Sequence, residues 1–310
     1  MRKTMLKPET TIPGTNFQNK IYQGDCAEML KSIADNSVDF IITSPPYANQ
    51  RSKSYGGVKP NEYVEWFLPI AEQLKRVLTQ DGSFILNIKE HVENGERHTY
   101  VLELILALRK MGWRWTEEYS WHKKNAFPGK WPNRFRDSFE RCLHFNLDKS
   151  FYMDQDSVMV EMGDWKDKRF KYLTGNDLER HASQVGNSFA KNIANWEKRD
   201  KAYPSNVLSL ATNCKNVGHP AAFPESLPSW FIKLFTRERG VVLDPFMGSG
   251  TTALSCIKLK RQFIGIEMSE EYVKLSCDKI NKALGLTIKP KSKPKSRKKG
   301  ECPHMAPLAP

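Results

Sequence analysis

Val241-Val242-Leu243-Asp244-Pro245-Phe246-Met247-Gly248-Ser249-Gly250-Thr251-Thr252 is the stretch whose reading decides the fold. Its opening is a short apolar run of the kind that makes a buried strand, and the run ends in an acid. A glycine-bearing loop follows, and from Thr252 to Lys260 the residues Ala253, Leu254 and Ile257 recur at helical spacing. Strand, glycine loop and helix in that order predict the first turn of a Rossmann-type sheet, whose ligands collect at the carboxyl edge of the strands. The loop lacks the full three-glycine dinucleotide fingerprint and also the P-loop lysine, so no diphosphate is expected there. Gly248 and Gly250 let the backbone approach a bulky guest closely, and a nucleoside-bearing amino acid suits that space better. Twenty-three residues beyond Asp244, the strand Phe263-Ile264-Gly265-Ile266 ends at Glu267, an acid placed to bind both hydroxyls of a ribose.

A second strand end stands far upstream. Val38-Asp39-Phe40-Ile41-Ile42 runs into Thr43-Ser44-Pro45-Pro46-Tyr47. Two consecutive prolines stop the strand, because neither can donate a ladder hydrogen bond. The expected product is a rigid corner with a serine before it and an aromatic ring after it. The Ser44 hydroxyl and the Pro45 carbonyl can both accept from an exocyclic amino group, and Tyr47 can stack on a planar base. Earlier still, Lys20 to Asp25 reads as a short strand ending in Gly-Asp. There Asp25 can accept from an adenine amino group or cap the helix that follows, and both readings stand.

Between these ends the pattern alternates. Glu62–Leu78 is predicted as an amphipathic helix, with Asp81-Gly82 turning it into a strand over Ser83–Ile88. Val101–Met111 is a second helix stopped by Gly112, and a strand around Glu117–Trp121 follows. Such alternation predicts a doubly wound α/β sheet. From 127 to 216 the periodicity fades. Trp131, Phe135, Phe139, Trp165 and Trp196 are interleaved there with Arg134, Arg136, Arg141 and several lysines, a mixture suited to reading a nucleic-acid groove. Arg51 and Lys53 lie in a polar, glycine-containing stretch after the corner and are placed for phosphates on a DNA-facing loop.

Ser44-Pro45-Pro46-Tyr47 resembles the catalytic motif of the DNA amino-methyltransferases, and Asp244 to Thr252 is similar to that family's S-adenosylmethionine motif. The corner precedes the cofactor motif, the circularly permuted order of the beta group. The resemblance implies a Rossmann-like S-adenosylmethionine-dependent methyltransferase fold with an inserted target-recognition region. It implies catalytic Ser44, Pro45, Pro46 and Tyr47, and cofactor binding by Asp25, Phe223, Asp244, Phe246, Gly248, Gly250, Thr251 and Glu267. Arg51, Lys53, Lys123 and Asn125 are the DNA-binding candidates, the last two with Trp121 from a segment lining the base pocket. Serine at 44 favours cytosine N4 over adenine N6 as target, inside duplex DNA and beside a possible cognate restriction endonuclease. An inactive DNA-binding regulator is the reading from another class.

The composition agrees with an anionic partner. The chain of 310 residues has 48 Lys and Arg against 35 Asp and Glu, a net charge of +13. Seven of those cations fall between Lys289 and Lys299, yet the remainder is still basic. Six scattered cysteines without a Cys-x-x-Cys predict neither disulfide framework nor metal knuckle, and a cytoplasmic setting fits them. No apolar run is long enough to span a membrane. The expected organisation is an arm over 1–19, a catalytic half over 20–126 and a recognition region over 127–216. A cofactor-binding half over 217–286 and a basic tail over 287–310 complete it.

Overall fold

The structure is a computed structural model that describes residues 19–49, 57–126, 129, 131–162, 171, 200–212 and 223–286. The predicted arm, Arg51 and Lys53, most of 163–222 and the basic tail lie outside those residues.

Strands β1 (Lys20–Gln23), β2 (Val38–Thr43), β3 (Leu78–Ile88), β6 (Arg114–Lys123), β7 (Phe139–Asn146), β10 (Val207–Leu210), β11 (Val241–Asp244) and β12 (Gln262–Glu267) form one sheet. Its order is β1-β12-β11-β2-β3-β7-β6-β10. All neighbours from β1 to β3 are parallel, β7 runs antiparallel to both β3 and β6, and β10 is parallel to β6. Two short ribbons, β4 (Val92–Glu93) with β5 (Glu96–Arg97) and β8 (Val160–Glu161) with β9 (Lys201–Ala202), stand apart from it.

Helices cover both faces, as a largely parallel sheet requires. Alternate residues of each strand sort to opposite sides. Tyr22, Ile41, Leu243 and Ile264 pack with α1 (Cys26–Leu30), α2 (Tyr63–Val77) and α3 (Tyr100–Lys110). Ile21, Phe40, Ile42, Val242 and Phe263 pack with α4 (Ser226–Phe235), α5 (Thr251–Lys258) and α6 (Glu270–Ala283). The doubly wound sheet expected from the alternation is the fold observed. Parallel strands buried on both faces need the apolar runs that 40–42 and 241–243 supply.

Some boundaries differ from expectation, and β6 runs from Arg114 to Lys123, longer at both ends than the strand expected around Glu117–Trp121. β3 starts at Leu78 rather than Ser83, directly at the end of α2. Its register against β2 jumps from Val38↔Leu78 to Phe40↔Ser83, so Asp81-Gly82 lies in a bulge inside the strand. A Cβ at Gly82 would stand 2.9 Å from the Asp39 carbonyl, which is why glycine occupies the bulge. α4 opens at Ser226 and accepts Pro228 in its first turn, where a backbone N–H would have no intrahelical partner to lose. Finally, β7 and β10 both fall inside 127–216 and pair into the main sheet, so that segment supplies part of the scaffold as well as loops.

β2 and β11 are neighbours at the centre of the sheet. From β2 the chain crosses to β3 on one side, and from β11 to β12 on the other. Connections diverging from adjacent parallel strands open a crevice between their carboxyl ends, the usual ligand position in such sheets. The two motifs singled out in the sequence begin at these two strand ends.

Candidate active site

Asp244 and Thr43 lock the strand ends together. Thr43 Oγ1 donates to Asp244 Oδ1 at 2.7 Å, and the Phe246 amide donates to the same oxygen at 3.1 Å. Thr252 Oγ1 donates to Asp244 Oδ2 at 2.6 Å. The carboxylate is buried, and burial pushes its pKa up to about 6 against the opposing pull of these three donors. Both oxygens are therefore spent inside the protein, fixing the glycine loop to the end of β2.

Glu267 is also buried. Its Oε2 accepts from the Gly248 amide at 2.8 Å and its Oε1 from the Ser269 amide at 2.8 Å. The Gly24 amide donates to the Glu267 carbonyl at 3.1 Å, which sets Gly24-Asp25 beside it. Asp25 is the N-cap of α1, Oδ1 accepting from the amides of Ala27 at 2.9 Å and Glu28 at 3.2 Å. The capping reading left open by the sequence is thus realised, and the side chain remains exposed at the sheet edge. Asp25, Glu267, Asp244 and Ser44 now stand at the ends of β1, β12, β11 and β2, four consecutive strands of the sheet.

The loop between β11 and α5 needs its glycines. Gly250 sits at φ +83, and a Cβ there would lie 2.7 Å from Ser276 Cβ. Gly248 is also left-handed, at φ +54. Between them the Ser249 hydroxyl is buried with no hydrogen-bond partner among the described residues. Thr251 opens α5, half-buried. Phe246 packs with Trp66 at 5.9 Å between ring centroids, giving the crevice an apolar wall. Phe223 is half-buried against the opposite core, that of α4 to α6.

At the Pro-Pro corner the hydrogen bonds run in one direction. Ser44 Oγ donates to Tyr47 Oη at 3.2 Å, and Tyr47 Oη donates to Glu140 Oε2 at 2.6 Å. Glu140 Oε1 is ion-paired with Lys123, whose ammonium lies 5.0 Å over the Trp121 ring. Asn87 Oδ1 lies 3.2 Å from Tyr47 Oη, and the Asn87 amide group donates to the Arg141 carbonyl. Burial, with the negative charge of Glu140 next, drives the Tyr47 pKa well above its ordinary value, so Tyr47 remains a phenol and a donor. Tyr63 donates to the Pro46 carbonyl at 3.1 Å, pinning the corner to α2.

Further expected site residues stand on β6 and just beyond its end. Asn125 is closed on Thr212 by its own Nδ2 and by two bonds donated to its Oδ1, and so clasps the end of β6 to the end of β10. Trp121 is buried and donates to the Leu210 carbonyl at 3.1 Å. Of the three residues expected to line a base pocket, only Lys123 reaches the corner, through Glu140. Glu140 and Asn87 escaped the sequence reading. For Asn87 the signal was a lone polar residue inside the apolar run 84–88; Glu140, beside Arg141 in a mixed strand, carried none. Among the described residues no group of three or more His, Cys, Asp or Glu could hold a metal ion, and no helix is long and apolar enough to cross a membrane.

A family model described as DNA methylase, of the N6/N4 class, matches residues 38–278, from the start of β2 into α6. The chain belongs to this DNA methylase family. Individual relatives agree along most of their length. The type II methyltransferase M.PvuII of Proteus hauseri is 30% identical over 289 residues, covering 84% of this chain and 83% of that one. M.BglII of Bacillus subtilis is 28% identical over 271 residues, covering 83% and 68%. The solved PvuII DNA methyltransferase (cytosine-N4-specific) superposes with a TM-score of 0.64 at 24% identity, over 91% of this chain and 94% of that one. A putative DNA modification methylase from Thermus thermophilus, complexed with S-adenosyl-L-methionine, gives 0.54 at 19% identity over 85% and 93%. These superpositions show that the sheet described above is the DNA methylase fold. The family membership also makes the protein an enzyme acting on DNA.

Proposed function

We propose that the protein transfers a methyl group from S-adenosylmethionine to the exocyclic N4 of a cytosine flipped out of duplex DNA. Its place would be the modification half of a type II restriction–modification pair, with an endonuclease that cuts the same site. The observation that carries the reading is the directed chain Ser44–Tyr47–Glu140. Ser44 spends its only proton on Tyr47, so the Ser44 oxygen offers lone pairs alone to whatever enters the corner. The amino group of a base has two hydrogens to give and is a weak nucleophile while its lone pair is delocalised into the ring. Ser44 Oγ and the Pro45 carbonyl accept those hydrogens and turn the lone pair out of the ring plane.

The crevice fits the cofactor. Gly250 lets the loop lie close against Ser276 of α6, the Ser249 hydroxyl is buried and unpaired among the described residues, and the Phe246 and Trp66 rings form an apolar wall. Asp25, Gly248, Thr251 and Glu267 complete the set that would hold it, with Asp244 holding the loop. When bound, the sulfonium supplies an electrophilic methyl group; no covalent enzyme intermediate is required. The residues of the chain orient the amine, exclude water and keep Ser44 an acceptor, so positioning contributes much of the rate. A base inside a pair is out of reach of in-line attack and must be extruded.

The type II assignment is supported by the likeness to M.PvuII and M.BglII, and the choice of base by serine at position 44. The test is to incubate the protein with unmethylated genomic DNA and S-adenosylmethionine, digest to nucleosides and weigh the product. N4-methylcytosine is expected. N6-methyladenine would overturn the base assignment, and absence of any methylated base would overturn the reaction.

A further inference from the structure

We infer that Phe135 is a wedge that enters the duplex and fills the stack where the target base leaves; this rests on the base-flipping reaction proposed above. The segment joining β6 to β7 is closed at its base by the Lys123 amide donating to the Ser138 carbonyl at 2.7 Å. Just at that base stand Lys123 and Glu140, the pair that meets at Tyr47. The segment therefore rises from the rim of the Pro-Pro corner. Phe135 lies five residues from Glu140 and so within about 17 Å of chain, comparable with the roughly 12 Å width of a major groove.

Phe135 is 95% exposed, more than any other large apolar side chain described. An isolated exposed apolar residue is ordinary in itself. This one is held out by a built anchor. Asp137, two residues on, is ion-paired with Lys89 at 3.0 Å, with Arg134 at 3.1 Å and with Arg97 of β5. Arg134 also stacks on the Trp131 ring at 4.9 Å, and Arg136 donates to the Ala126 carbonyl at 3.2 Å. Asp137 thus ties the segment to the body through Lys89 and Arg97, and Arg134 and Arg136 brace it internally, while the Phe135 ring stays in solvent. Arg136 bonds a neutral carbonyl, so its charge remains available to a phosphate. A flat apolar ring flanked by cations, held beside a pocket that must receive an extruded base, has the chemistry of a side chain that intercalates and unstacks a step.

The test uses Phe135→Ala and Phe135→Trp in the full chain. The target sequence is first read from the positions methylated in genomic DNA. Single-turnover methylation is then measured on a duplex carrying that site, and on the same duplex with the base opposite the target removed. The wedge predicts at least a tenfold loss for Phe135→Ala on the paired target, shrinking to within about twofold when the opposing base is absent. Phe135→Trp should retain the wild-type rate on both. Binding to unrelated duplex, and its salt dependence, should be unchanged. An equal loss on both duplexes, or no loss, overturns the inference. A drop in oligomeric mass on gel filtration for Phe135→Ala would instead assign the ring to a second copy of the chain. Wild-type protein that methylates no base would remove the parent reaction and the wedge with it.

Discussion

Thr43 and Asp244 are 201 residues apart in the chain and joined by a buried 2.7 Å hydrogen bond. One ends the strand that carries the Pro-Pro corner and the other begins the glycine loop. That bond holds the reacting corner and the cofactor loop in fixed relation, and its removal should disturb both.

Asp244→Ala leaves the hydroxyls of Thr43 and Thr252 and the Phe246 amide without their acceptor. Each unsatisfied buried donor costs about 1–3 kcal/mol, so a loss of several kcal/mol in urea unfolding is expected. Calorimetry should show loss of S-adenosylmethionine binding. Unchanged binding would remove the loop from the cofactor site.

The same carboxylate gives a pH signature. Its folded pKa is about 6, above the ordinary aspartate value of 3.8, so the folded state holds the proton more tightly than the unfolded. The stabilisation is present below about pH 4 and is lost as pH rises through about 6. Relative to Asp244→Asn, wild-type stability should fall by about 3 kcal/mol across that window. A flat difference between the two would refute the buried, ionising carboxylate.

Ser44→Ala should keep cofactor and DNA binding while losing turnover, since it removes the acceptor for the amine together with the Ser44 bond to Tyr47. Tyr47→Phe leaves Ser44 without the group that takes its proton. We expect roughly a tenfold fall in single-turnover rate, about 1.4 kcal/mol, with little change in affinity. A wild-type rate in Ser44→Ala would defeat the account of amine activation.

Gly250→Ala forces a Cβ to 2.7 Å from Ser276 Cβ at a φ of +83. A loss of about 1 kcal/mol or more is expected from backbone strain alone, with the steric conflict adding to it. Thermal unfolding measures it. A variant as stable as wild type would mean that α5 can shift away.

Much of the fold could be read from the apolar runs 40–42 and 241–243, because parallel strands buried on both faces leave a continuous local signal. The strand-end acids and the Pro-Pro corner were legible for the same reason: backbone demands are written locally. Glu140 and Asn87 were not, because nothing near them in the chain shows that β7 lies against β3 rather than at an edge. The clasp between Asn125 and Thr212 was hidden likewise, since it depends on a strand pairing across 87 residues. Asp25 shows the reverse case, a local cap legible from its own sequence.

β1 pairs with β12, and α6 packs against β1. The first strand and the last helix of the described chain are therefore neighbours, and the path through the sheet comes close to a closed circuit. In such a circuit, which motif is met first depends only on where the circuit is opened. A version joined between α6 and β1 by a flexible linker and opened at the β4–β5 ribbon should rebuild the same crevice. Its two motifs would then be read in the opposite order.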